Sequence, residues 1–105
     1  MITSRFTPRS FTASGEAPAN TAQPSFAPAP TAGNESEVDE GTWTGSPTIT
    51  FTYQWQLDGI DIIGATAKTI LVIAGMIGQA LRCVVRATNS FGFSIAFTAA
   101  VIVTV

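Results

Sequence analysis

The chain has 105 residues, a net charge of −2 and no histidine, and 46% of its residues are hydrophobic while only 11% are charged. This length accommodates one domain, and the five scattered basic residues form no stripe that would bind nucleic acid. No apolar run approaches the ~20 residues of a membrane-spanning helix, and the N-terminus lacks the apolar core of a secretory signal, so we expect a protein made and used without Sec-type export.

Charged residues are unevenly distributed along the chain. All seven acidic residues lie at or before Asp61, and the only charged residues from Ile62 onward are Lys68, Arg82 and Arg86. A soluble monomer seldom leaves so much of its surface without charge. The second half is therefore either unusually well buried or in contact with another protein, and we favour the second interpretation.

The N-terminal segment, residues 1–22, has no sustained hydrophobic period and is rich in Pro, Ser, Thr, Ala and Gly. Such a segment cannot bury enough apolar surface to fold alone. We predict an extended N-terminal arm over residues 1–22 and one domain over residues 23–105. Isolated apolar side chains at Ile2, Phe6 and Phe11 are candidate contacts to a partner. The arm is either an anchored strap or a disordered leader, and the sequence favours neither.

The next segment contains a proline-rich stretch and an acidic patch. Alternating Ala-Pro in residues 23–33 favours an extended leading edge strand. Four acidic residues follow within residues 35–40, but they lack the spacing of a calcium-binding EF-hand loop. We interpret this patch as the solvated face of a strand whose Val38 points inward.

The strongest strand prediction covers TITFTYQWQL, residues 48–57. Strict alternation places Tyr53 and Trp55 on the apolar face and the polar Thr and Gln residues on the other. Asp58-Gly59 ends the strand with a hairpin turn. Short strands bent at Gly64 are predicted to follow.

A second strand is predicted for ALRCVVRAT, residues 80–88, with Cys83 and Val85 on its apolar face. Cys83 is the only cysteine, which excludes an intrachain disulfide, and a lone thiol in an apolar strand is expected to be buried. The predicted structural core consists of Tyr53, Trp55, Cys83 and Val85.

The C-terminal segment predicts a turn over residues 89–92 and then one long strand, FSIAFTAAVIVTV. This strand is uncharged and would promote aggregation if it formed an exposed edge. It is therefore either central in a sheet or covered by a partner. Phe91 and Phe93 flank the turn glycine and are candidate partner-binding residues.

Catalysis is not expected. The chain lacks histidine, a Gly-x-Ser-x-Gly elbow and a phosphate-binding glycine loop, and Asp58 and Asp61 are better explained by a turn than by an acid pair. We expect no cofactor and no metal. Many short strands at regular spacing predict an all-β sandwich.

Five motifs follow one another in the middle of the chain: Gly41-Trp43-Gly45, Tyr53-Trp55, Asp58-Gly59, Ile63-Gly64-Ala65-Thr66 and Ala87-Thr88-Asn89-Gly92. In this order they resemble the Ig-like domains of tail, head-fibre and decoration proteins of tailed bacteriophages. The resemblance covers most of residues 41–92 and implies an immunoglobulin-like β-sandwich. Antibody-type domains carry a cysteine pair and a tyrosine two residues before the second cysteine; Cys83 has no partner and Leu81 occupies the tyrosine position.

The resemblance implies a structural virion protein, a capsid decoration protein on the outer head surface, assembled in the host cytoplasm. The arm and the apolar face would attach it to the major capsid protein, to other virion proteins or to copies of itself. One alternative is an Ig-like recognition module that weakly binds bacterial surface glycans, through Trp43 with the acidic patch or Tyr53 with Gln54 and Gln56. The other is a low-copy tail or connector subunit.

Overall fold

The computed structural model describes residues 15–105. Ten β-strands and one short 3-10 helix, Ala74–Met76, make up its regular structure. The strands are β1 Glu16–Ala22, β2 Ser25–Ala27, β3 Glu35–Asp39, β4 Thr42–Ser46, β5 Thr50–Leu57, β6 Ile60–Asp61, β7 Thr69–Leu71, β8 Ala80–Asn89, β9 Gly92–Phe97 and β10 Val101–Ile102.

The strands form two facing layers. In one layer β1 pairs with β4, and β2 pairs with β3, which in turn pairs with β7, so that residues 16–27 and 35–46 form one interrupted antiparallel hairpin. In the other layer the order is β6–β5–β8, with β9 and β10 successively alongside the other edge of β8. The predicted all-β sandwich is confirmed by these antiparallel sheets.

The antiparallel pair of β5 and β8 forms the centre of the second layer. The pairing runs over all eight residues of β5 and places Trp55 opposite Cys83. In both strands alternate residues face the sandwich interior, as the two-residue period of a β-strand dictates. Asp58 and Gly59, both with positive φ, form the tight turn into β6, as the Asp-Gly signal predicts.

The core is concentrated at the end of the sandwich where β2, β3 and β7 cover β5 and β8. There Phe26 meets Trp55 edge-on, with ring centroids 5.4 Å apart. The opposite end, beneath β1 and β4, is thinner and contains the half-buried Trp43 against Phe51. The buried apolar side chains are Val38, Trp55, Ile70, Val72, Met76, Leu81, Cys83, Val85, Ala87 and Val103.

The first strand changes the predicted domain organisation. Residues 16–22, placed in the arm by the sequence, form β1, so the sandwich includes residues on both sides of the predicted boundary at 22/23. β1 packs close to β9 because both strands carry small side chains there. Its backbone also accepts hydrogen bonds from β8 and β9: Asn89 Nδ2 donates to the Glu16 carbonyl and Ser94 Oγ to the Pro18 carbonyl, both over 2.7 Å.

The C-terminal strand is interrupted, and the prediction of one long strand is wrong. The buried Thr98 replaces regular pairing: its amide donates to the Cys83 carbonyl, and its Oγ1 accepts a hydrogen bond from the Cys83 amide over 2.9 Å. The chain leaves the strand over residues 98–100 and resumes as β10 beside Ala80 and Leu81. Both pieces lie beside β8 at an edge of the layer, so the strand is not central.

Candidate interaction surface

The outward face of β9 carries three exposed apolar side chains in succession. Phe93, Ile95 and Phe97, here called the β9 stripe, are 53%, 49% and 45% exposed. The alternate residues of β9 that face the sandwich are small, which allows β1 to pack closely beneath them. An apolar row of this kind on the surface is typical of a contact site for another macromolecule.

Two arginines of β8 stack on the rings of the β9 stripe. The Arg86 guanidinium carbon lies 3.9 Å from the ring centroid of Phe93, and that of Arg82 lies 4.5 Å from the ring centroid of Phe97. Arg82 Nε also donates to Gln56 Oε1 over 2.7 Å. The ion pair found within residues 15–105 joins Lys68 to Glu40, so neither arginine has an acidic partner in that range. The face is therefore both aromatic and cationic.

The candidate partner-binding residues from the sequence lie in two regions. Phe93 belongs to the β9 stripe, and Phe91 lies in the adjoining β8–β9 turn, 54% exposed. The Phe91 ring packs so closely against Gly15 that a Cβ there would clash with it. Ile2, Phe6 and Phe11 lie outside the described residues.

The candidate core residues occupy neighbouring positions in β5 and β8. Trp55, Cys83 and Val85 are each 0% exposed, whereas Tyr53 is half-buried. Burial raises the pKa of the Cys83 thiol to about 12. The thiol is thus protonated at neutral pH and behaves as a small apolar side chain rather than as a nucleophile.

Sequence reasoning identified one end of the stripe and missed the rest. From sequence, Ile95 and Phe97 belong to a strand that is predicted to be central or covered, and no sequence pattern links the two arginines to a site. Large and small residues alternate from Phe93 to Phe97, and this pattern was the available signal.

A separate polar cluster joins β5 to the β3–β4 connection. The Tyr53 hydroxyl donates to Glu40 Oε2, which also lies 3.3 Å from Lys68 Nζ. The hydrogen bond from Tyr53, with the nearby Lys68 ammonium, lowers the pKa of Glu40, and desolvation together with Glu40 raises that of Tyr53. This cluster cross-links the structure, because each of its polar groups already has a partner within it.

The side chains proposed for glycan recognition are also engaged internally. Trp43 Nε1 donates to the Glu40 carbonyl over 2.7 Å. Gln54 Nε2 donates to the Ile62 carbonyl over 2.8 Å, and Gln56 bonds both Arg82 and Asp61. These contacts hold the connection after β6 and the outer face of the sheet in place.

Two open grooves indent the surface. One, about 320 Å³, lies where β1 passes into β2 and β9 into β10; it is lined by Gln23, Pro24, Ser25, Phe26, Thr98, Ala99 and Val101. The other, about 300 Å³, lies beside Glu37 and Lys68. Within residues 15–105 no group of acidic or cysteine side chains is arranged to hold a metal ion. No helix in that range is long and apolar enough to cross a bilayer.

Comparison of the chain with family models, with curated proteins and with solved structures finds no match.

Proposed function

We propose that this protein is a structural component of a tailed-phage virion, a decoration protein that binds the outer capsid surface through the exposed face of its β8–β9 layer. The observation that carries the proposal is the β9 stripe, because its three half-exposed apolar side chains leave a row of apolar surface in contact with water. The resemblance to phage Ig-like domains supplies the setting.

The two stacked arginines specify the kind of surface that fits. Arg82 and Arg86 lie over aromatic rings, so their guanidinium groups are held in place before binding and lose little freedom on contact. A partner surface with apolar side chains beside carboxylates would satisfy both the rings and the charges. On a capsid, repeated copies of such a surface would be supplied by the major capsid protein, and many small contacts would favour the assembled shell by mass action.

The test is the number of copies of this chain per purified particle, measured by quantitative mass spectrometry against the major capsid protein. We expect hundreds of copies. A small multiple of three or six would instead assign the chain to a tail or connector, and absence from particles would leave a binding module outside the virion. Either result would overturn decoration.

The contact face is tested with particles stripped of this protein and then titrated with purified chain. Arg86→Gln removes one of the stacked guanidinium groups and is expected to weaken binding about tenfold, the size of one charge-assisted contact. Thr66→Glu, in an exposed connection distant from β9, changes the net charge by the same amount and serves as the matched control. Equal binding of the two variants would exclude this face as the contact.

A further inference from the structure

The edge of β9 that faces away from β8 has unpaired backbone groups. The Thr98 amide donates to the Cys83 carbonyl; since hydrogen-bonded pairs alternate in an antiparallel ladder, the even-numbered residues of β9 bond β8 and the odd-numbered ones point their N–H and C=O groups outward. The Gln23 side chain supports this assignment, because it lies beyond the edge and donates a hydrogen bond to the Phe97 carbonyl. Within residues 15–105, the backbone groups of Phe93 and Ile95 have no such partner.

The sequence of this edge is self-complementary. Phe-Ser-Ile-Ala-Phe, residues 93–97, has the same order of large and small side chains in both directions about Ile95. In an antiparallel pair centred on Ile95, Phe93 of one copy faces Phe97 of the other and Ser94 faces Ala96. Large side chains then meet on the outer face and small ones on the inner face, where β1 leaves little space.

We propose that two copies of this chain associate through their β9 strands, which pair antiparallel about a two-fold axis at Ile95. The pairing satisfies the free outward groups of Phe93 and Ile95, while the Phe97 carbonyl exchanges its Gln23 hydrogen bond for the Phe93 N–H of the other copy. It joins the two β5–β8–β9 layers into one continuous sheet. It unites the two β9 stripes into a single apolar patch flanked by four arginines. This inference does not depend on the proposed virion function.

The groove beside β9 lies next to the end of the paired segment. Residues 98–100 leave the strand and Phe91 lies in the turn before it, so the ladder ends at Phe97 and brings the groove of one copy towards the turn of the other. Ala99 lines the groove of about 320 Å³ whose walls include Phe26 and Val101, and Phe91 is an exposed aromatic side chain at the turn. Each copy thus has a ring and a recess for the partner's ring, as an isologous interface requires.

The interface is small, and this size sets the expected strength. Each copy contributes five strand residues and the Phe91 ring. Together these bury less than the roughly 1,600 Å² of a standard interface. We therefore expect a reversible dimer whose population rises with concentration.

Sedimentation equilibrium of the full chain from the micromolar to the millimolar range tests the association. The wild-type chain is expected to approach twice its monomer mass, whereas Ile95→Lys should stay monomeric because a lysine at the axis blocks strand addition. Ile102→Lys introduces the same change at an exposed residue of β10, outside the paired segment, and should still dimerise. Thermal melts by circular dichroism verify that both variants are folded. A wild-type chain that remains monomeric, or a dimeric Ile95→Lys variant, overturns the proposal.

Oxidative cross-linking tests the register. Hydrogen-bonded antiparallel partners have Cα atoms about 5.5 Å apart, within the range that a disulfide spans, so Ile95→Cys should cross-link to itself. Phe93→Cys and Phe97→Cys should cross-link efficiently only when mixed. Thr52→Cys, exposed on β5 of the same face, is the control, and the native Cys83 is buried. Equal cross-linking of Ile95→Cys and Thr52→Cys would contradict the paired edge.

Discussion

Trp55 connects the two layers of the sandwich through a single side chain. Its ring is completely buried and meets Phe26 of β2, while its indole nitrogen donates to the Ala67 carbonyl over 2.9 Å in the connection before β7. The position therefore combines a large apolar contact with a satisfied polar group, which is what a buried tryptophan needs. Without a disulfide in the chain, such contacts carry the stability of the fold.

Replacing Trp55 by alanine is expected to unfold the protein or bring it to the margin of folding. Loss of a buried tryptophan typically costs about 3–5 kcal/mol, a large part of the ~5–15 kcal/mol by which domains are stable. Urea denaturation followed by circular dichroism measures the change. Trp43→Ala, at a half-buried ring, is the comparison and should lose less. A sharply melting Trp55→Ala variant with near wild-type stability would show that the ring is not needed in the core.

Glu40 is expected to make part of the stability depend on pH. Its pKa is lowered from 4.5 mainly by the Tyr53 hydrogen bond, so the ionised form is stabilised in the folded state. That contribution is present above pH 4.5 and is lost as the pH falls through the lower folded-state pKa. Urea midpoints measured from neutral to acidic pH should fall less steeply in Glu40→Gln, and also in Tyr53→Phe, which removes the hydrogen-bond donor. If the urea midpoint fell with pH as steeply in both variants as in the wild type, this linkage would be excluded.

At the scale of the strands, β5 and β8 were predictable because β5 alternates strictly between apolar and polar residues, β8 does so except at Val84, and each is buried on one face. β1 was not, since Glu-Ala-Pro-Ala-Asn-Thr-Ala has no apolar period. It forms a strand because of tertiary contacts, namely pairing with β4 and close packing on the small residues of β9. Local sequence does not encode these contacts.

The interruption of the last strand shows a second limit of sequence patterns. Thr98 is a good strand residue by propensity, yet its hydroxyl group binds the Cys83 amide and its side chain points inward. The same limit affected the candidate surface: the exposure of Ile95 and Phe97 depends on β9 lying at an edge, and the strand's sequence is equally suited to a central position. Phe91 and Phe93 were identifiable because the sequence predicts the turn beside them.

Gly41 and Gly64 form a matched pair for testing the break between β3 and β4. Both have positive φ, +80° and +83°, but a Cβ at Gly41 would collide with the Ala22 carbonyl, whereas nothing lies within 4 Å of one at Gly64. Gly64→Ala should cost about 1 kcal/mol for the backbone conformation alone. Gly41→Ala should cost about 1–3 kcal/mol more because the hairpin must shift. Equal urea midpoints for the two variants would mean that the close approach at Gly41 is unimportant.

On the scale of the whole molecule, the sandwich has a dense end and a thin end. β3 lies between β2 and β7 over the main core, while its continuation β4 pairs with β1 alone within the described chain. Local stability follows the number of buried contacts. We therefore expect the amides of β4 to exchange with deuterium faster than those of β3, as measured by peptide-resolved mass spectrometry. Uniform exchange along the hairpin would indicate that the two ends open as one unit.

The first and last strands of the described region lie at opposite ends of β8. Glu16 lies beside Asn89, whereas Val101 pairs with Leu81, so these points are separated by roughly 25–30 Å along the strand direction. A mechanical pull between them would act parallel to β1 and β10. The interstrand hydrogen bonds would then be loaded in shear and would have to break together rather than unzip one after another. We expect the sandwich to resist a force along this direction more strongly than a force that peels its strands apart one by one.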